Sequence, residues 1–519
     1  MMKSPTAIVI GAGIGGIASA AHLARHGFHV TVFEKNQRPG GRCDHFSHEG
    51  HRFDSGPTLL IMPVIYEQEF AALGASLHER LDLQRVDPTY HLVFDDGSRL
   101  ALTSDLTAMY RQIEAIEPNS FQAFLHYLGE GGQLYNLAME QLVERDFRTA
   151  FEFFNINNLP LLFNLKPLVP HYHHVSTLFR HPHLRAAFTF QDVYMGLSPF
   201  EAPSTFSMMP YTELAHGVWY PKGGMYSVVE ALMQIATDAG VEFEFETPIE
   251  RIDIERSRAR GVLLSNGRWQ AADIVIANAD LPYVYTQLLP DPDLAGELVD
   301  KEFSCSAISF FWGVDKTYPE LSAHTLFLAE DYQENFKSIS EQFTLPDNPS
   351  LYIHAPARLD PAAAPPEQDT LVAIVPVGHM DEKHAQDWVE LRDLARKAVF
   401  HRLALLGITD LEAHLKFEMN YTPPSWHKRY NLMKGATHGL SHTLTQLAYF
   451  RPHNRHPRYQ NLYFVGASTH PGTGVPSALI SAHQVVDRVL DDWKANVAAN
   501  DAVLAPKPQR LHPHFDDGA

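Results

Sequence analysis

The chain has 519 residues, a formal net charge of −20, and 45% hydrophobic and 20% charged residues. This is enough chain for roughly two to four domains, with the composition of an ordinary globular protein. The negative charge argues against nucleic acid as a partner, and against recruitment by bulk attraction to anionic lipid. In chain order, a β-branched run from Ile8 to Ile10 breaks into Gly11-x-Gly13-x-x-Gly16. Apolar positions at helical spacing follow (Ile14, Ile17, Ala21, Leu23), then a second strand from Val30 to Glu34. Each part has a physical job in binding a dinucleotide. Gly11 permits the tight turn, Gly13 lets the backbone approach a pyrophosphate, and Gly16 lets the helix pack closely on the sheet. The helix start, at Ile14 and Gly15, offers free N–H groups and a favourable dipole to phosphate. Glu34, with Lys35 beside it, stands where an acidic side chain meets a ribose hydroxyl.

A glycine pair and an arginine come next, in Arg38-Pro-Gly-Gly-Arg42, followed by His51-Arg-Phe-Asp-Ser-Gly-Pro-Thr58. The stretch from Tyr90 to Leu102 reads as a hairpin turning at Asp96-Gly97. From Asp105 to about Phe200 the pattern is helical and rich in phenylalanine and leucine. Within it, Ala150 to Val169 suits an apolar lid or membrane-facing mouth, or equally a core helix broken at Pro160 and Pro167. Strands return after Gly240, the last of them Asp273-Ile-Val-Ile-Ala-Asn-Ala-Asp280. The longest uncharged run, Tyr459 to Val486, carries glycines, prolines and histidines and so suits lipid poorly. It reads as strand, glycine-rich loop and buried helix. The first strand opens almost at the N-terminus, so neither a signal peptide nor a transmembrane helix is expected.

Cys43 and Cys305 are too few and too far apart for a disulfide framework, and read as reduced thiols. The 30 histidines are scattered. Their densest group, His171-Tyr-His-His174, lacks the spacing of a good zinc site, so no metal is expected.

The Gly40-Gly41-Arg42 element resembles FAD-binding chains of the amine oxidase and carotenoid desaturase superfamily, and implies FAD as the cofactor. Further motifs narrow the resemblance: Tyr194-Met-Gly-Leu-Ser-Pro199, Gly217-Val-Trp-Tyr-Pro-Lys-Gly-Gly224, Arg451-Pro-His-Asn-Arg455 and Asn461-Leu-Tyr-Phe-Val-Gly-Ala-Ser-Thr-His-Pro-Gly-Thr-Gly-Val-Pro476. Together they resemble the bacterial and fungal type of phytoene desaturase, nearer the fungal branch, from Ala7 to Val489. The resemblance implies that Gly41 and Arg42 lie along the ribityl and phosphate portion, where Arg42 offers a planar donor fork. It places Gly466 and Ala467 by the ribityl–pyrophosphate arm, and Gly474, Val475 and Pro476 by the isoalloxazine. Gly56, Pro57 and Thr58 are expected near the ring from the other side, and Ile249 at the adenine. One departure stands out: Gly466 is followed by Ala467 and Ser468, where many flavoproteins carry an acid for a ribityl hydroxyl.

The expected fold is α/β, of the amine oxidase/GDI-like FAD superfamily. A Rossmann-type FAD-binding domain is built from discontinuous segments (1–105, 220–300 and 430–495). An α+β substrate-binding, membrane-facing domain takes 106–219 and 301–429, and 496–519 forms a flexible tail. The implied reaction is FAD-dependent desaturation of phytoene or a similar linear polyene, with quinone or oxygen as final acceptor. Related polyene chemistry (carotene isomerase, terminal oxidase, saturase) stays open. A flavin amine oxidase fits less well, since neither cysteine lies near the C-terminal motif. Rab escort proteins and GDP-dissociation inhibitors share the fold without flavin, but the intact Gly11/Gly13/Gly16, Glu34 and Gly40-Gly41-Arg42 set argues against that role. Proton acceptors within or beside the motifs are His442, His470 and Asp192. His470 stands first because its loop is expected near the flavin, but the sequence assigns none. A water-insoluble substrate implies peripheral, monotopic attachment at the cytoplasmic face of a membrane.

Overall fold

The alternation of the first strand, Thr6–Ile10, decides the first layer. In the computed structural model, which describes residues 4–504 apart from 156, 157, 159, 160, 162, 163 and 290, this strand is the centre of a five-stranded parallel sheet. The order is Leu462–Phe464, Ile274–Ala277, Thr6–Ile10, His29–Phe33, Glu242–Glu244. Ala7, Val9, Val30 and Val32 point to one face, and Ile8, Ile10 and Phe33 to the other. Both faces are covered, as a parallel sheet requires. On the first lie the helices Ile14–Arg25, Tyr226–Asp238 and Val475–Leu504. On the second lies an antiparallel sheet of Ile249–Glu255, Arg258–Leu264 and Trp269–Ala271. The helix Ile14–Arg25 is buried all round from Ile14 to Leu23, which explains its alanine-rich, charge-free surface.

The second layer is a seven-stranded mixed sheet in the order Leu415–Tyr421, Ser306–Val314, Asp369–Val377, Leu351–His354, His324–Leu328, Tyr90–Phe94, Arg99–Leu102. Its spine is the pairing of Ser306–Val314 with Asp369–Val377, in register from Ser306 opposite Val377 to Val314 opposite Asp369. Ile308, Phe310, Trp312 and Val314 face the helix Trp388–Ala404. The intervening Ala307 and Ser309 face inward, and their small side chains leave open space.

Three expectations need correction. The Tyr90–Leu102 hairpin does form, but it belongs to the second sheet, where Tyr90–Phe94 pairs in parallel with His324–Leu328. The first segment drawn from the sequence, 1–105, therefore runs too far. The hairpin's buried face (Tyr90, Leu92, Phe94) is capped by helices Leu106–Ile116, Phe121–Ala138 and His171–Leu178, and this non-local packing leaves no local signature. The tail expected from Asn496 is also shorter than thought: the last helix continues to Leu504. Its sequence there is alanine-rich, and no proline intervenes before Pro506. Residues 505–519 lie outside the described residues, as does Pro160 of the apolar segment. Third, part of that segment is not a core helix, which leaves the lid or membrane-facing reading. Phe151, Phe154 and Leu168 are exposed at 87%, 60% and 82%.

Trp312 is fully buried, stacked on Phe310 and Phe400, and donates its indole N–H to Glu418 at 2.9 Å. Trp312→Ala is expected to cost about 3–5 kcal/mol, read as a lowered unfolding midpoint in denaturant. A midpoint near that of the parent would contradict the placement of the core of the second sheet.

Candidate functional site

A cavity of about 550 Å³ is lined by both layers. One end is made by glycine turns at the C-terminal ends of the parallel strands, the usual place for a ligand in such a sheet. Helix Ile14–Arg25 begins there at Gly13, with no side chain capping its free N–H groups. Gly41, at φ +57, brings the second glycine turn so close that a Cβ on it would lie 3.3 Å from the Cα of Gly13. The two turns are further tied by the Gly40 N–H, which donates to the Ala12 carbonyl at 2.7 Å. Glu34 is buried, and its carboxylate accepts from the Ala12 N–H at 2.8 Å and the Asn36 N–H at 2.9 Å. It thus fixes the glycine turn to the end of the second strand while lining the cavity.

Arg42 lines the same cavity and donates to the Thr437 carbonyl at 3.0 Å. Burial holds its pKa down, against the pull of nearby Asp280. Asp280 in turn accepts from Ser468 Oγ at 2.5 Å and the Met433 N–H at 3.0 Å, and burial raises its pKa. Lys35 donates to Asn431 Oδ1 at 2.7 Å and is also held down by burial. Glycine backbone, an uncapped helix start, an anchored carboxylate and a guanidinium that no carboxylate pairs directly form a cleft that fits a dinucleotide with its pyrophosphate.

The other end of the cavity is different in kind. Tyr90, Phe190, Tyr194, Leu326, Tyr332 and Phe336 line it, with Ile374 and Pro376 from the long strand. Its polar groups are uncharged or buried behind the wall. Tyr352 hydroxyl is shared between Thr58 Oγ1 at 2.7 Å and His324 Nδ1 at 2.6 Å. Burial keeps His324 neutral, pushing its pKa well below the usual histidine value. The Tyr194 hydroxyl donates to that of Tyr90, and Glu213 lies buried beside both.

The cofactor-binding residues named from the sequence come together on this one cavity: Gly11, Gly13, Ile14, Gly15, Glu34, Lys35, Gly41, Arg42, Gly56, Pro57, Thr58, Ile249, Gly466, Ala467, Gly474, Val475 and Pro476. Gly16 does not line it. A Cβ there would meet the Gly11 carbonyl oxygen at 2.2 Å, so its role is packing of helix on turn. None of the three suggested proton acceptors lines the cavity. Asp192 is fully buried against His171 Nδ1 at 2.9 Å. His442 Nε2 accepts the Thr473 N–H at 3.1 Å. His470 is buried, with its pKa pushed down to about 4 by desolvation.

Asn278, Asp280, Glu213 and Arg451 are the site's principal residues that sequence reasoning left without a role. Asn278 and Asp280 had a signal: polar residues directly after an apolar strand of a parallel sheet sit at its ligand edge. Arg451 had none. It is fully buried and donates to the carbonyls of Ser441 (3.0 Å) and Thr469 (3.0 Å), among others, tying two loops behind the glycine end. Among the described residues, His22, Glu69 and His483 bring three donor atoms within 4.8 Å. His22 and Glu69 already satisfy each other at 2.8 Å.

Comparison with known proteins places these features. The model of the flavin containing amine oxidoreductase family matches residues 14–490. The phytoene desaturase of Fusarium fujikuroi is 42% identical, over 96% of this chain and 92% of its own. That of Phycomyces blakesleeanus is 41% identical, over 94% and 86%. The zeta-carotene-forming phytoene desaturase of Myxococcus xanthus is 41% identical, over 93% of both chains. Among solved structures, putrescine oxidase with bound putrescine superposes with a TM-score of 0.64 at 16% identity, over 94% of this chain and 99% of its own. An oxidoreductase from Methanosarcina mazei gives 0.62 at 15%, over 93% and 100%. At such identity the superpositions speak to fold alone.

Glu34→Ala removes the acceptor that fixes the Ala12 and Asn36 N–H groups. The expected result is at least about a tenfold loss of FAD affinity, the equivalent of about 1.4 kcal/mol. Titration of apoprotein by flavin fluorescence measures it. Unchanged affinity would show that the glycine turn keeps its shape without this carboxylate.

Proposed function

This chain belongs to the family of flavin-containing amine oxidoreductases, and we propose that, with FAD as its cofactor, it desaturates phytoene or a similar linear carotenoid precursor. One observation carries the reading. A single cavity joins a dinucleotide cleft to an aromatic and aliphatic chamber, and the ionised groups of its lining (Glu34, Lys35, Arg42, Asp280) belong to the glycine turns and the loops beside them. A long hydrocarbon needs such a dry wall and no counter-ion. An amine substrate would call for polar partners at the chamber end. The identity to the fungal and Myxococcus phytoene desaturases supports the same substrate class.

In this reading, strands within 1–89, 220–300 and 430–495 form the cofactor layer, and the seven-stranded sheet with its covering helices forms the substrate layer. The Gly11–Gly16 turn, Gly41 and Arg42 hold the pyrophosphate, Glu34 and Lys35 the adenosine ribose, and Ile249 the adenine. Gly466 and Ala467 face the ribityl arm. Gly56 to Thr58 and Gly474 to Pro476 flank the ring. The final helix, starting at Val475, aims its N-terminus at the ring and favours negative charge there. Bound FAD supplies a two-electron acceptor for a hydride from an allylic carbon. The chain's own residues orient the polyene, exclude water and receive the proton that leaves the neighbouring carbon. Ala307 and Ser309 leave room for an extended chain along the long strand.

The substrate dissolves only in a bilayer, so the protein works as a peripheral, monotopic protein on the cytoplasmic face. Among the described residues no helix is long and apolar enough to cross a membrane. An exposed aromatic cluster supports attachment instead: Phe154 lies 5.0 Å from Phe153 and 5.9 Å from both Tyr449 and Phe450 (ring centroids). With exposed Phe151 and Leu168, it forms an apolar surface suited to the acyl boundary of a bilayer. Electrons leave the reduced cofactor to a quinone or to oxygen.

Anaerobic mixing of FAD-loaded protein with phytoene in liposomes is expected to bleach the flavin and produce red-shifted polyene bands. Flavin that stays oxidised overturns desaturation, in favour of isomerisation where the polyene spectrum shifts and of another substrate where it does not. Separately, the triple variant Phe151→Ser/Phe154→Ser/Leu168→Ser is expected to lose most of its cosedimentation with neutral liposomes while keeping its bound flavin. Cosedimentation equal to the parent's would place the attachment surface elsewhere.

A further inference from the structure

Among the described residues Glu213 is a buried carboxylate with no ion-pair partner, behind a chamber wall that is otherwise aromatic and aliphatic. It is 2% exposed, and its Oε2 accepts from Gln191 Nε2 at 3.1 Å. Its Oε1 has no hydrogen-bond partner. A half-satisfied buried carboxylate is costly, so its retention against the chamber calls for an explanation. The other groups that face it are tyrosines from three elements: Tyr90 on the hairpin strand, Tyr194 in the 3₁₀ helix Phe190–Met195, and Tyr127 on helix Phe121–Ala138. Behind Tyr127 lies the closed His171–Asp192 pair, joined to its hydroxyl at 2.9 Å. Tyr352 faces Tyr90. No cation contributes to the surroundings of Glu213. Only Tyr90 and Tyr194 of the first three line the cavity.

We propose that Tyr194 and Tyr90 contact the polyene and pass its departing proton to Glu213. The inference rests on the desaturase reading above. Two hydrogens leave adjacent carbons: one departs with its bonding pair toward the flavin, the other as a proton. The electron pair of that second C–H bond becomes the new C=C bond. The proton goes to a tyrosine oxygen as the hydroxyl's own proton moves to the Glu213 carboxylate, which ends neutral. The tyrosines themselves stay as neutral hydroxyls, because burial raises them well above the ordinary phenol range, so they relay a proton and do not keep it. Burial also pushes the Glu213 pKa up, to about 7, partly offset by the Gln191 amide and by the nearness of the two tyrosine hydroxyls. A carboxylate poised there is ionised above about pH 7 and is basic enough to keep the proton it receives.

The test is Glu213→Gln, made in the FAD-loaded, full-length protein and assayed with phytoene in liposomes. The expected result is a fall in kcat on the order of 10²-fold or more, with KM, flavin content and melting temperature little changed. The parent's kcat is expected to rise with pH to a plateau above about pH 7, the limb of a group needed ionised, and the variant to lack that limb. Infrared difference spectra of the apoprotein give a reading apart from turnover: a buried carboxylic acid band that disappears over the same pH range in the parent and is missing from Glu213→Gln. If Glu213→Gln fails to fold, Tyr90→Phe/Tyr194→Phe breaks the path instead. It is expected to lose kcat while the carboxylic acid band still titrates. Parent-like kcat and pH limb in either variant overturns the inference and leaves the desaturase reading intact. A parent protein that leaves phytoene unchanged overturns both.

Discussion

The carboxamide of Asn278 is the interaction on which the cofactor layer depends. Its backbone N–H donates to the Ile10 carbonyl at 2.8 Å and its Nδ2 to the Gly11 carbonyl at 3.2 Å. The side chain thereby joins the first strand to the strand Ile274–Ala277. A Cβ on Gly13 would lie 2.7 Å from this amide, on Gly15 3.0 Å, on Gly16 3.0 Å and on Gly466 3.1 Å. The glycines of two motifs far apart in sequence thus share one neighbour. They are small because a ligand must approach, and also because this amide already fills the space between them. A parallel sheet whose strands arrive from three distant stretches of chain needs such a fastener, since no hairpin sets its register.

The same arrangement explains the division of charge along the cavity. Parallel strands gather their ends, turns and helix starts at one edge, so polar backbone and the few ionisable groups of the lining collect there. The mixed sheet presents its face, and a face is lined by side chains alone. Alternation along Ser306–Val314 then puts bulk (Phe310, Trp312) into the core and small residues (Ala307, Ser309) against the cavity. One pattern of period two therefore sets both the stability of the sheet and the width of the chamber.

Much of this was legible in the sequence because the evidence was local. Gly11 to Glu34 is a continuous unit whose every part carries its own physical requirement, and the loop from Gly466 to Pro476 is punctuated by residues with few alternative uses. What stayed hidden depends on partners distant in the chain. The Tyr90–Leu102 hairpin shows its turn in Asp96-Gly97, yet its sheet is decided by a parallel neighbour at His324–Leu328. His442 and His470 were suggested by their motifs, but their rings are taken up by packing behind the cavity. Glu213 sits in a short helical turn, Thr212–His216, and only the folded chain reveals that its carboxylate lies beside two tyrosines rather than in water. Gly16 has the packing role its place in the motif suggests, held by the Gly11 carbonyl and by Asn278 rather than by the cavity.

The chain passes between the two layers repeatedly: out along the Tyr90 hairpin, back before Tyr226, out again at Ser306 and back after Tyr421. A hinge works when few connections must bend together. Here any opening of one layer from the other would have to flex every crossing at once, and would also strip the wall that both layers share. The cavity is consequently a fixed slot rather than a closing jaw. Along such a slot a long molecule is placed by how far it slides, as a ruler is read against a fixed mark.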